Sequence, residues 1–324
     1  MIRLKSIALL GAAVVLANGI HAATFTESFT AAPAANGWQS FGNANLFQWD
    51  STNQNLYVTW DSAQTNSYAY RPLGTILTRT DVFSASFDLT FDDYAAGVDP
   101  EKTGAAPVAL GFFNLAEAKR TNFFRGVGQN NTYGTRSLVE FNFFPPFEIY
   151  SATIAQVVVS TNAQWLYNHS NLLPMTTGQT FRVTMNYSNA ALTTTVTNNG
   201  VQYGATQTIP VPTTRDFRCD AFSISSYTDA MSTSSLLAHG RVDNLVLTLP
   251  PPPIQGMTGG FNGSSWRVQF ISQTNWLYTL ERTTNFSAWN AVSSSQPGNN
   301  NLLPLTDPLP PTAQAAYRVR AERP

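Results

Sequence analysis

The chain has 324 residues, of which only 11% are charged, with Lys+Arg at 18 against Asp+Glu at 19. That balance leaves no electrostatic footprint for nucleic acid or for an anionic membrane surface. A single cysteine, Cys219, excludes an intramolecular disulfide framework, so the fold must be held by its core.

The first 22 residues, MIRLKSIALLGAAVVLANGIHA, open with Arg3 and Lys5, run uncharged from Ser6 to Ile20 and close on the small Ala22. Such a basic start, short apolar stretch and small residue read as a secretory signal peptide over 1–22, too short to span a bilayer comfortably and followed by no basic stop-transfer flank. The expectation is an exported protein, extracellular, on the cell surface or periplasmic, with no membrane insertion after cleavage.

From residue 23 to 249 apolar and polar residues alternate in short runs punctuated by Gly, Pro and Asn, the pattern of antiparallel strands. FSASFDLTF places Phe83, Ala85, Phe87, Leu89 and Phe91 on one face, with Ser84, Ser86, Asp88 and Thr90 on the other. FRVTMNY sets Phe181, Val183, Met185 and Tyr187 against Arg182, Thr184 and Asn186. The expectation is one packed face and one wet face per strand. Asn199-Gly200 in TNNGV marks a tight hairpin, because both positions tolerate positive φ. NLAEAKRTNFF is the one stretch that admits a short helical turn. Ten or so such strands predict an all-β, two-sheet sandwich. Cys219, in the alternating FRCDAFSIS, reads as a small buried residue.

The pattern stops at Pro250–Pro253, which cannot donate to a ladder and favour a stiff extended linker. A second β unit is expected over 254–324, with Trp266, Phe270, Trp276, Tyr278, Leu280, Trp289, Tyr317 and Val319 as its core.

Three stretches of the large domain, DVFSASFDLTFDDY (81–94), LVEFNFFP (138–145) and HGRVDNLVLTLP (239–250), resemble in order and spacing the concanavalin A-like, laminin-G-like jelly-roll modules of secreted bacterial proteins. The resemblance implies a concanavalin A-like jelly roll over 23–249. The tail, WLYTLERTTNFSAWNAV and AAYRVRAERP, is similar to small fibronectin-III-like modules through Tyr278, Trp289 and Tyr317-Arg318-Val319. It implies a spacer, attachment or interaction unit.

Glycoside cleavage needs two carboxyl groups about 5–9.5 Å apart, and residues two apart on a strand lie roughly 6.6 Å apart on one face. LVEFNFFPPFEIY supplies Glu140 but then Asn142 and Phe144. An amide cannot act as nucleophile or general acid, and Glu148 is separated from the strand by Pro145-Pro146. The set therefore favours non-catalytic recognition of a glycan or cell-surface polymer over cleavage. A hydrolase or lyase built on Glu140 and a second carboxylate, and a structural surface protein without a small ligand, remain the alternatives. Sugar recognition needs an aromatic plate and polar groups for hydroxyls. QWLYNHS offers Trp165, Tyr167 and His169 on one side of an extended segment, and Asp88, Glu140, Asn142 and Arg182 form the ligand-binding set if their strands adjoin. DDYAAGVDPEKTG gathers Asp92, Asp93 and Asp99, hard oxygen ligands that would suit calcium.

Overall fold

The computed structural model describes residues 23–123, 134–228, 233–312 and 314–324, so the expected leader over 1–22 lies outside the described residues. The described chain divides into two units at the proline run, Ala22–Pro252 and Pro253–Pro324. No helix of the described residues is long and apolar enough to cross a membrane.

The large unit is built from two sheets, antiparallel except where Gly104–Ala105 pairs parallel with Ser234 and Ser235. The larger has the strand order Val201–Gln202, Ala191–Asn198, Thr180–Ser188, Phe83–Ala96, Ser234–Leu249, Asn55–Asp61, Phe47–Asp50, with Ala23–Glu27 also paired to Ser234–Leu249. The second is seven-stranded: Trp165–Leu172, Thr153–Val159, Leu138–Phe144, Val108–Phe113, Cys219–Ser226, Ser67–Leu77, Gln39–Phe41.

Alternation decides what lies between the sheets. Phe83, Phe87, Phe91, Phe181, Val183 and Met185 turn inward from the larger sheet, while Val139, Phe141, Phe143, Phe112 and Phe222 turn inward from the seven-stranded one. Phe87 meets Phe141 edge-on at 6.1 Å between ring centroids, and Phe91 stacks on Phe143 at 4.9 Å. Burying each such ring contributes about 2 kcal/mol, and edge and offset contacts add to that. This packing makes the unit an all-β sandwich of two sheets around one core, as the alternation predicts.

Local signals match their elements. The hairpin joining Ala191–Asn198 to Val201–Gln202 turns through Asn199 and Gly200 at φ 49° and 76°. The helical turn forms over Leu115–Ala118, where the Asn114 side chain accepts the Glu117 amide at 3.0 Å. Leu138–Phe144 ends where Pro145, which has no N–H, would break the ladder. The thiol of buried Cys219 donates to the Ser137 carbonyl at 3.4 Å, and burial, followed by the charges of Asp220, Glu140 and Asp216, pushes its pKa well up.

The small unit also holds two sheets. Ile254–Asn262, Ser265–Ser272 and Leu302–Asp307 form one, and Leu277–Thr283 centres the other between Asn290–Ala291, Gln296–Pro297 and Ala316–Glu322. Val268, Phe270, Trp276, Tyr278, Leu280, Leu303 and Leu305 are buried. Trp266, Trp289, Tyr317 and Val319, expected in this core, are only half-buried. Trp266 stacks on Tyr317 at 5.0 Å, and the Arg318 guanidinium lies over Trp289 at 4.4 Å, so these rings are sandwiched at the rim.

Candidate ligand-binding site

The structure separates the residues that the sequence groups together. Asp88 and Arg182 belong to the larger sheet and lie directly opposite each other in register. Their neighbours Phe87, Leu89, Phe181 and Val183 enter the core, so the pair faces outward. Glu140 and Asn142 face outward from the other sheet, because Val139, Phe141 and Phe143 point inward. The four residues therefore do not converge: the thickness of the core stands between the two pairs.

The expectation that Glu140 and Asn142 lie on a wet face is also corrected, since both are 0% exposed. The outward side of the seven-stranded sheet carries a second apolar layer that includes Tyr68, Tyr70, Phe113, Ala118, Phe123, Leu138, Val157 and Tyr227. Beneath it, small residues surround the polar pair. Glu140 is opposite Gly111 and Val157, with Gly111 opposite Ser223; Asn142 is opposite Ala109 and Ala155, with Ala109 opposite Ser225. The absence of bulk at Ala109, Gly111, Ala155, Ser223 and Ser225 lets the aromatic layer settle over the strand. A Cβ on Gly111 would lie 2.7 Å from the Glu140 Cα, closer than atoms of a packed interior approach.

Within that layer the Tyr227 hydroxyl donates to Glu140 Oε1, and Asn142 Nδ2 donates to Oε2 at 3.1 Å. Buried polar groups are costly unless paired, and this pairing is what permits a carboxyl under the rings. Tyr68 packs against Tyr227 at 5.7 Å and donates to the Ala118 carbonyl at 3.1 Å. Burial, then the nearby Glu140, pushes the Tyr68 phenol well above its ordinary value. Asn66 joins the flanks of the layer: its Nδ2 donates to the Phe123 carbonyl at 2.6 Å, and its Oδ1 accepts the Thr228 amide at 2.9 Å.

The strand rows through Glu140 and Asn142 bring no second carboxyl to the face among the described residues. Glu148 lies in an exposed turn past the strand, at φ 49°. Both Glu140 oxygens are engaged and the residue has no exposed surface, so its carboxyl ties the layer to the strand.

Trp165 and Tyr167 do share the Glu140 face. Tyr167 is opposite Val157, itself opposite Glu140, and Trp165 is opposite Val159. Tyr167 thus stands two strands, about 10 Å, from Glu140. Leu166 between them packs into the core, whereas Trp165 leans on the outer aromatic layer and Tyr167 is 42% exposed. They occupy the edge strand of the sheet. The His169 side chain lies outside the described residues.

On the opposite side of the sandwich, Arg182 donates to Asp88 Oδ1 at 3.1 Å, Ser86 Oγ at 2.6 Å and the Asn244 carbonyl at 2.5 Å, while Asn244 Nδ2 reaches Asp88 Oδ2 at 2.9 Å. These groups satisfy one another across three strands. The expected calcium set is likewise engaged by protein groups: Arg241 pairs with Asp92, His239 Nδ1 lies 2.8 Å from Asp93, and Asp99 Oδ1 accepts the Glu101 amide at 2.9 Å. Among the described residues no group of three His, Cys, Asp or Glu side chains is placed to hold a metal.

Several residues that shape the site were not singled out from the sequence. Gly111, Ser223 and Ser225 come from other strands and Tyr227 follows one of them, and their signal was the alternation in VALGFF and DAFSISSY, which names a face without saying what covers it.

A scan against protein-family models found no match, and a search of curated proteins found none. Among solved structures, the lectin UEA-II complexed with galactose is 13% identical, with 70% of this chain and 98% of that one covered at a TM-score of 0.45. Lectin II from Ulex europaeus is 12% identical, with 70% and 97% covered at 0.44, and peanut lectin with a 9mer peptide is 15% identical, with 69% and 98% covered at 0.39. At that level the likeness is one of chain outline and transfers no residue, ligand or activity.

Proposed function

We propose that the large unit is a non-catalytic glycan-binding module of an exported protein, its ligand lying along the Trp165–Leu172 edge strand. The observation that carries this reading is the same-face pair Trp165 and Tyr167: two flat aromatic side chains, roughly 6.6 Å apart along one strand face, with Tyr167 open to solvent. An aromatic ring offers the apolar face of a pyranose a large contact at little conformational cost. Recognition is favoured over cleavage because the carboxyl on that face, Glu140, is buried and hydrogen-bonded. Export through the leader at 1–22, and a spacer or attachment role for the small unit, belong to the same proposal and rest on the sequence.

Affinity electrophoresis through gels containing neutral polysaccharides tests it. Retardation is expected with at least one polymer and no reducing sugar released. Trp165→Ala and Tyr167→Ala should each weaken retention about three- to tenfold, the usual range for an aromatic contact. Retention unchanged in both variants would remove the edge strand as the site, and no retardation at millimolar sugar would remove the lectin reading.

A further inference from the structure

The small unit carries a polar hollow of about 410 Å³ on its three-stranded sheet, lined by Thr258, Gly260, Phe261, Asn262, Arg267 and Gln269 among others. Register explains its shape. Gly260 is directly opposite Arg267, Thr258 is opposite Gln269, and Asn262 is opposite Ser265. Thr258, Gly260, Asn262, Arg267 and Gln269 therefore share one face, while Val268 and Phe270 enter the core from the other. A Cβ added to Gly260 would meet nothing within 4 Å, so the missing side chain forms the floor of the hollow and Arg267 its wall.

The charges of the unit are otherwise consumed. Arg282 pairs with Asp307 at 2.7 Å, Arg318 and Arg320 hold Glu281 at 2.7 and 2.6 Å, and Arg320 also pairs with Glu322. Arg323 lies over the Trp276 ring at 5.6 Å. Every Asp and Glu of the unit is engaged. Arg267 alone among its arginines has no carboxylate or ring partner among the described residues, and its Nε is buried without an acceptor. The side chains of Thr258, Asn262 and Gln269 also make no hydrogen bond to described residues. Polar side chains in a concave site with unfilled hydrogen-bonding capacity are what a small polar ligand requires.

We propose that this hollow binds the carboxylate of an acidic saccharide, a uronate unit. The Arg267 guanidinium is a planar fork matched to a carboxylate. Thr258, Asn262 and Gln269 supply donors and acceptors for ring hydroxyls. One unpaired cation fits one negative charge per bound unit. The site belongs to the small unit and shares no residue with the aromatic pair at 165 and 167, so each can fail without the other.

The test is affinity electrophoresis of the full chain in gels holding polygalacturonate, dextran sulfate or neutral dextran, followed by titration with a galacturonate oligomer. Retardation by polygalacturonate and not by dextran is expected, weakening with added salt. Arg267→Gln should lower uronate affinity about tenfold or more, the worth of a charge-assisted hydrogen bond, with unchanged thermal unfolding. Gly260→Val fills the hollow without touching a charge and should lower it similarly. Equal uronate binding by wild type and Arg267→Gln overturns the proposal, as does no binding at millimolar uronate. Binding of dextran sulfate alone overturns the carboxylate assignment.

Discussion

The two outward faces of the large sandwich are written in the same alternating code and end in opposite environments. On the larger sheet, Asp88 and Arg182 remain partly open, with side chains 23% and 31% exposed, and satisfy each other and Asn244 within reach of water. On the seven-stranded sheet, Glu140 and Asn142 occupy equivalent alternate positions and are sealed beneath tyrosines and phenylalanines. The difference lies in what is laid over the sheet. The second face is covered from the chain around the Leu115–Ala118 helix and Phe123, and by Tyr227 following the Cys219–Ser226 strand. Period-two alternation reports that residues share a side, and a covering segment decides whether that side is solvent or a second core.

The comparison breaks most sharply at Gly111. Alanine there would force its Cβ onto the backbone of Leu138–Phe144, and Gly111→Ala should cost about 3 kcal/mol, since neither strand can shift without disturbing both layers. Urea unfolding measures it, and a loss below about 1 kcal/mol would mean the layer over Glu140 is loosely packed. Tyr227→Phe comes next. It removes the donor to Glu140 Oε1 while preserving the ring, and a buried carboxyl deprived of a donor should cost about 2 kcal/mol. The smallest effect belongs to the open face. Arg182→Gln removes the ion pair with Asp88, yet water can replace it, so less than about 1 kcal/mol is expected, diminishing further in high salt. Equal losses for Tyr227→Phe and Arg182→Gln would erase the distinction between a sealed face and a wet one.

The binding residues divide along the same line. Trp165 and Tyr167 were legible as a same-side pair from QWLYNHS, because spacing by two is a local property. That they share the Glu140 face followed only from the order of the strands Trp165–Leu172, Thr153–Val159 and Leu138–Phe144. The separation of Asp88 and Arg182 from Glu140 and Asn142 was illegible for the same reason: each run is amphipathic alone, and nothing local assigns a strand to one sheet or the other. Likewise the acidic run around Asp92 and Asp93 looked available to a cation until Arg241 and His239, far along the chain, came to lie beside it.

Sequence by itself determined the all-β character, the inward placement of Phe87, Phe141 and Phe143, the Asn199-Gly200 turn and the end of the Glu140 strand at Pro145. Each of these follows from local φ/ψ preference, from the two-residue period or from a missing N–H. Tertiary structure alone decided that Glu140 is buried, that its oxygens are held by Tyr227 and Asn142, and that Arg267 faces the bare floor of Gly260 with no acid left to pair with. Those outcomes depend on which strands become neighbours and what is laid across them, and long-range contact is the one quantity that alternation along a chain does not encode.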